Sequence, residues 1–179
     1  FYDMINFVSQ TKFIDSPADI LVHQVNCCGA MGKGIAKEIK EKFPEVYLGY
    51  KEVWSKIDEP KDLLGECFIL KLKDREQYVA NLFAQLEWTG LLRKYPTDKM
   101  LFTPLYGRQV NYEALYRSLE ELNRNAMMIY NQLNKRTISI SFREKMGCCN
   151  AGGSWDIVLG MISHFWENND KIEVIIHGQ

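Results

Sequence analysis

The run Leu21-Val22-His23-Gln24-Val25-Asn26-Cys27-Cys28-Gly29-Ala30-Met31-Gly32-Lys33-Gly34-Ile35-Ala36, continued by Lys37-Glu38-Ile39-Lys40-Glu41-Lys42-Phe43, leaves few folds open. Its apolar, β-branched beginning predicts a buried strand, and three glycines within six residues predict a loop held close to something. Ile35, Ala36, Ile39 and Phe43 then recur at helical spacing. Strand, glycine loop and helix in that order leave the first helical N–H groups unpaired and aim the positive end of the helix dipole at the loop, which suits a phosphate or diphosphate. The glycine pattern is G-x-x-G-x-G, neither the G-x-G-x-x-G of a dinucleotide fold nor a P-loop. Lys33 is followed by Gly34, so no hydroxyl stands where a P-loop offers one to Mg²⁺. A tight turn that only packs a helix on a sheet remains the alternative.

The same grammar returns near the other end. Thr137–Ser141 reads as a strand, Phe142–Ser154 as a second glycine-bearing loop, and Trp155, Val158, Leu159, Ile162 and Phe165 as a helix that Ser154 could cap. Outside the loops, Ile5–Val8, Asp19–Asn26 and Ile172–Ile176 predict strands. Glu66–Lys73 and Gln77–Ala84 predict a hairpin turned at Asp74-Arg75-Glu76. Pro44 opens a helical stretch through Tyr47, Tyr50, Lys51 and Trp54. Asn111 can cap a long helix whose stripe of Leu115, Leu119, Leu122, Ala126, Ile129 and Leu133 faces a core. Strands alternating with helices predict an α/β sandwich around a mixed sheet. If the two glycine loops follow parallel central strands, both open at one sheet edge, where α/β folds bind ligands.

Composition narrows the function. A chain of 179 residues, 46% hydrophobic, predicts one domain over residues 1–179, with a long irregular segment at 85–110 that carries Trp88, Tyr95, Phe102 and Tyr106 among basic residues. A net charge of −1 argues against an extensive nucleic-acid footprint. No apolar run is long enough to span a bilayer, and the first residues lack a signal peptide's pattern. Five cysteines, four of them in the doublets Cys27-Cys28 and Cys148-Cys149, make a poor disulfide framework and suggest a reducing cytoplasm. A metal or disulfide between Cys28 and Cys149 is a rival idea, but C-x-x-C spacing is missing, so neither metal nor cofactor is expected. The first residue is Phe, so the native chain is expected to be longer.

Val25–Ala36, together with Gly147-Cys148-Cys149-Asn150-Ala151-Gly152-Gly153-Ser154-Trp155, resembles the paired ligand loops of macrodomains, and the order of elements resembles theirs over nearly the whole chain. The branch it looks closest to holds terminal ADP-ribose glycohydrolases, DNA ADP-ribose glycohydrolase antitoxins and ADP-ribose-1''-phosphate phosphatase-type proteins. The resemblance implies a three-layer α/β/α sandwich with a mixed sheet of about six strands and an ADP-ribose cleft at its crest. Met31, Gly32, Lys33, Gly34, Ile35 and Ala36 would wrap the diphosphate from one side, and Gly147, Cys148, Cys149, Asn150, Ala151, Gly152 and Gly153 from the other. Asn26 and Gly29 would lie near the distal ribose, and Cys28 and Gln85 are counted among the ligand-binding residues.

Departures from that pattern bear on chemistry. Family members carry Gly-Asp early in the chain, where the acid bonds the adenine amino group; Gln10 and Thr11 stand there, so Thr11 is placed on the adenine side. The glycohydrolase members use a lysine and an aspartate, and the matching residues are Gln85 and Ala151, which offer neither amine nor carboxylate. The phosphatase-type members carry a histidine that His23 matches. His23 and Asn26 are therefore the candidate catalytic residues, against a reading of His23 as a core histidine. His164 and His177 are read as structural.

The leading expectation is thus a protein that binds ADP-ribose or a derivative, alone or on an ADP-ribosylated macromolecule, with hydrolysis of a phosphorylated or conjugated form left open. The alternatives are an ADP-ribose-1''-phosphate phosphatase, a glycohydrolase without the Lys and Asp pair, or a docking module acting through Trp88–Arg108 without turnover.

Overall fold

The computed structural model describes residues 4–86, 110–148 and 152–179. Six strands, β1 (Ile5–Val8), β2 (Ile20–Asn26), β3 (Cys67–Lys71), β4 (Tyr78–Gln85), β5 (Ile138–Arg143) and β6 (Ile172–His177), form one sheet in the order β1-β6-β5-β2-β4-β3. Every neighbouring pair is parallel except β3 with β4, the predicted hairpin. The helices are α1 (Gly34–Lys42), α2 (Pro44–Ser55), α3 (Tyr112–Leu133) and α4 (Trp155–Trp166).

Helices cover both faces of the sheet, which is why the central strands are apolar almost without interruption. Ile20 and Val22 of β2 join Leu115, Leu119, Leu122, Val158 and Trp166 in one core, whereas Leu21 and Val25 join Ile39, Val46, Tyr50 and Phe83 in the other. The two cores lie on opposite sides of one strand because successive side chains alternate. The predicted stripe of α3 is buried from Leu115 to Ile129.

Local chemistry sets the element boundaries. A residue before proline avoids the α region, and Phe43, at φ −126° and ψ 75°, separates α1 from α2 ahead of Pro44. Asn111 caps α3 as expected, its side-chain oxygen accepting the Ala114 N–H at 3.0 Å. Ser154 occupies the N-cap of α4, but its side chain makes no capping bond; its N–H donates instead to the Tyr112 hydroxyl at 2.8 Å. β5 runs two residues beyond the predicted Ser141, because Phe142 is buried against Trp166 with ring centroids 5.8 Å apart. Among the described residues, no helix is long and apolar enough to cross a membrane.

Parallel order places the ends of β2, β4 and β5 side by side at one edge of the sheet. β2 leads from there into the first glycine loop, and β5 into the second.

Candidate functional site

Asn26, the last residue of β2, sets the first loop. The pairing of β2 with β4 slips between Val25 and Asn26, so that Asn26 stands opposite Gln85. Its side-chain oxygen accepts from the Cys28 N–H at 3.0 Å, the Ala30 N–H at 3.3 Å and the Tyr50 hydroxyl at 2.8 Å. Its amide donates to the Ala30 carbonyl at 2.8 Å. Burial pushes the Tyr50 phenol well above its ordinary range, so it remains a donor. One carboxamide thus closes the turn on itself and ties it to α2.

The loop residues then divide between core and cleft. Met31 is buried in the core beside α2, because an unbranched thioether fills the space beneath the turn. Gly29, at φ +78°, faces away from the cleft, and a Cβ there would lie 3.0 Å from the Trp54 ring. The Cys28 thiol donates to the Leu86 carbonyl at 3.1 Å. Gly32, Lys33, Gly34, Ile35 and Ala36 line the cleft. The first α-helical bond of α1 runs from the Lys37 N–H to the Lys33 carbonyl, and no side chain caps the helix. The N–H groups of Gly34, Ile35 and Ala36 therefore lie ahead of that bond, at the cleft.

The second loop begins with tight turns. The Met146 N–H donates to the Arg143 carbonyl at 3.1 Å and the Cys148 N–H to the Lys145 carbonyl at 2.9 Å. Lys145 at φ +65° and Gly147 at φ +77° turn the chain back. Gly153 closes the loop through its N–H on the Gly147 carbonyl at 2.9 Å, a contact so close that a Cβ on Gly153 would stand 2.7 Å from that oxygen. Cys148 packs against the α3 and α4 core. Cys149, Asn150 and Ala151 lie outside the described residues, as does the stretch 87–109 of the predicted irregular segment.

Between the loops is a cleft of about 630 Å³. Ala30, Gly32–Ala36 and Glu38 wall one side, Arg143–Gly147 the other, and the end of β2 with Gln85 forms the floor. Of the predicted ligand residues, the structure brings Asn26, Gly32, Lys33, Gly34, Ile35, Ala36, Gln85 and Gly147 together around it. Cys28, Gly29, Met31, Cys148, Gly152 and Gly153 are not among the residues that line it. Thr11 is exposed and away from the cleft, its carbonyl accepting from His177 Nδ1 at 2.9 Å.

Sequence reasoning missed Gln24, Glu38, Arg143, Glu144 and Lys145. Position alone could have flagged the last three, since they follow the strand that feeds the second loop. Gln24 Nε2 donates to Gln85 Oε1 at 2.7 Å, joining the two carboxamides across the floor.

His23 is the clearest departure from a catalytic reading. It is 2% exposed, Nε2 lies 2.5 Å from Asn81 Oδ1, and Nδ1 is buried without a partner. Burial holds its pKa down to about 4 against an ordinary 6.5, so at neutral pH it is the uncharged imidazole rather than the imidazolium a general acid needs. The unfolded chain binds this proton between pH 6.5 and 4 while the folded chain does not, so the associated stability is fully present above pH 6.5 and is lost as pH falls towards 4. The size is on the order of 3 kcal/mol. Urea titrations across that window should show stability falling with acid, and His23→Gln should flatten the fall; an unchanged slope would place His23 elsewhere.

Among the described residues, no group of three or more His, Cys, Asp or Glu could hold a metal ion.

The chain matches no family model. The ADP-ribose 1''-phosphate phosphatase of Meyerozyma guilliermondii is 39% identical to it over 70 residues, which are 37% of this chain and 40% of that protein. The macrodomain of Thermus aquaticus DarG superposes with a TM-score of 0.69 at 22% identity, covering 98% of each chain. Thermosipho africanus DarTG in complex with ADP-ribose superposes with a TM-score of 0.66 at 18% identity, covering 96% of this chain and 41% of that one. The matched stretch is less than half the length of the first curated relatives. A six-stranded mixed sheet between helices, with two glycine loops meeting over its central strands, defines an α/β ligand-binding class. Within that class, this chain has the macrodomain fold.

Proposed function

We propose that the chain binds ADP-ribose, or a derivative of it, in the cleft between the two glycine loops. One observation carries the reading: the unpaired N–H groups that open α1 face the turns of the second loop across a single cavity of about 630 Å³. That volume falls within the usual range for a small-molecule site. Hydrogen bonds from backbone N–H to charged phosphate oxygens contribute about 1.5–3 kcal/mol each. Three of them with a buried base would reach micromolar affinity, about −8 kcal/mol. The phosphatase and DarTG likenesses support the same ligand. ADP-ribose carried on a macromolecule is part of the proposal, since the cleft opens to the surface.

Hydrolysis of an ADP-ribose derivative is the second reading, favoured by the stretch shared with the phosphatase. Lysine-dependent chemistry is no part of it. Gln85 closes β4 as a carboxamide bonded to Gln24, and residue 151 is alanine. The docking alternative rests on Trp88–Arg108, which lie outside the described residues.

Calorimetry with ADP-ribose, ADP-ribose-1''-phosphate and an ADP-ribosylated peptide, with product release followed in parallel, tests both readings. Binding in the micromolar range or tighter is expected, and turnover would add the second reading to the first. Folded protein indifferent to all three ligands would leave the docking alternative standing.

A further inference from the structure

The first loop is held from outside the cleft. Among the described residues, Gly29, Ala30, Met31 and Gly32 make no backbone-to-backbone hydrogen bond, so side chains fix this stretch. Asn26 binds both backbone groups of Ala30, and Met31 is anchored in the core. A third hold acts on Gly29 and comes from α2.

Lys51 and Trp54 share a face of α2. The Lys51 ammonium lies 4.4 Å from the centre of the Trp54 ring and 3.5 Å from the Gly29 carbonyl oxygen, so one charge bridges the indole and the loop. Both groups press on Gly29 itself, since a Cβ there would stand 3.0 Å from Trp54 Cδ2 and 3.2 Å from Lys51 Nζ. Lys51 and Trp54 are half-buried and do not line the cleft, while Val46 and Tyr50 secure the core side of α2. What the pair fixes is therefore Gly29, just ahead of the cradle at Gly32–Ala36. Glycines lose more backbone freedom on ordering than other residues, and a loop that must order on binding loses affinity by that amount. A loop fixed beforehand avoids the loss.

On the reading that ADP-ribose binds in this cleft, we propose that Lys51 and Trp54 are positioning residues for the diphosphate. They form a cation–π clamp on the outer side of the first loop that pre-shapes the cradle without touching the ligand.

The test is calorimetry with ADP-ribose on the parent, Lys51→Met and Lys51→Arg, with melting curves beside it. Lys51→Met keeps an unbranched apolar stem but loses the charge; it should melt within about 2 °C of the parent and bind about three- to tenfold more weakly. Lys51→Arg should recover most of the affinity, because a guanidinium also stacks on indole and donates to a carbonyl. The loss in Lys51→Met should persist at about 0.5 M salt, where a long-range charge effect on the ligand is screened. In the parent, acrylamide should reach Trp54 less readily once ADP-ribose is bound, since a filled cradle holds Gly29 against the ring; Trp54→Phe identifies that part of the emission. A Lys51→Met variant that binds like the parent overturns the proposal and leaves the cleft assignment intact. So does a loss that salt erases, or one that Lys51→Arg does not recover. If Lys51→Met melts far below the parent, Trp54 quenching in the parent decides, and no change on binding overturns the proposal. Failure of folded parent to bind ADP-ribose removes the cleft assignment, and the proposal with it.

Discussion

Gly147→Val should abolish ADP-ribose binding and lower the melting temperature by about 5–10 °C. Gly147 sits at φ +77°, where a branched side chain is strained, and the left-handed conformation alone costs about 1–2 kcal/mol. An added Cβ would also stand 2.5 Å from Gln24 Oε1. Gln24 is flexible enough to swing clear, but doing so breaks its bond to Gln85, worth about 0.5–1.5 kcal/mol. The sum is about 2–3 kcal/mol, and a domain of this size loses about 2–4 °C for each. Binding suffers more than stability, because the strain is relieved by reopening the turn that walls the cleft. The double variant Gly147→Val with Gln24→Ala separates the two causes. Measured against Gln24→Ala alone, which has already lost the bond to Gln85, the added loss from Gly147→Val should shrink to the part due to φ. Thermal melts and calorimetry on the pair decide the matter: a Gly147→Val variant that melts and binds like the parent would mean that the second loop is not held over Gln24.

How far the sequence alone could reach is clear from individual residues. β2, the first glycine loop and α1 were legible because their signals are local: a β-branched run, three glycines, and apolar residues at helical spacing. Asn111 was legible for the same reason, since a cap acts on its own helix. Asn26 was noticed as a site residue but not as the anchor of its loop. Its partner Tyr50 is 24 residues away on α2, and only the folded chain shows that both ends of the carboxamide are occupied in holding the turn. Met31 was counted with the ligand loop through the family resemblance, and its side chain goes to the core, as large apolar side chains in a loop do when the turn allows it. His23 could be weighed but not decided, since its neighbour Asn81 comes from an adjacent strand through the β2–β4 register. Gln24 was invisible, since it owes its place to a pair across two strands, whereas Glu144 lay within the predicted second loop and could have been flagged by position.

Gly32→Glu should leave the fold untouched and cut ADP-ribose affinity by more than about 100-fold. The position tolerates a side chain, since a Cβ there meets nothing within 4 Å, so the change in stability should stay within about 0.5 kcal/mol. The new carboxylate lies two residues ahead of α1, in reach of the N–H groups of Gly34, Ile35 and Ala36, where the helix dipole favours negative charge. It therefore occupies the cradle as an internal competitor and also repels the diphosphate. Losing two N–H-to-phosphate bonds at about 1.5–3 kcal/mol each is enough for the predicted drop, at about 1.4 kcal/mol per tenfold. Lys33→Ala provides the contrast. Lys33 is exposed, with no ion pair among the described residues, and adds a screened charge rather than a fixed donor, so its loss should weaken binding about two- to fivefold and flatten the salt dependence. If instead Lys33→Ala proves as damaging as Gly32→Glu, side-chain charge rather than the start of the helix holds the ligand, and the cradle assigned to Gly34–Ala36 is wrong.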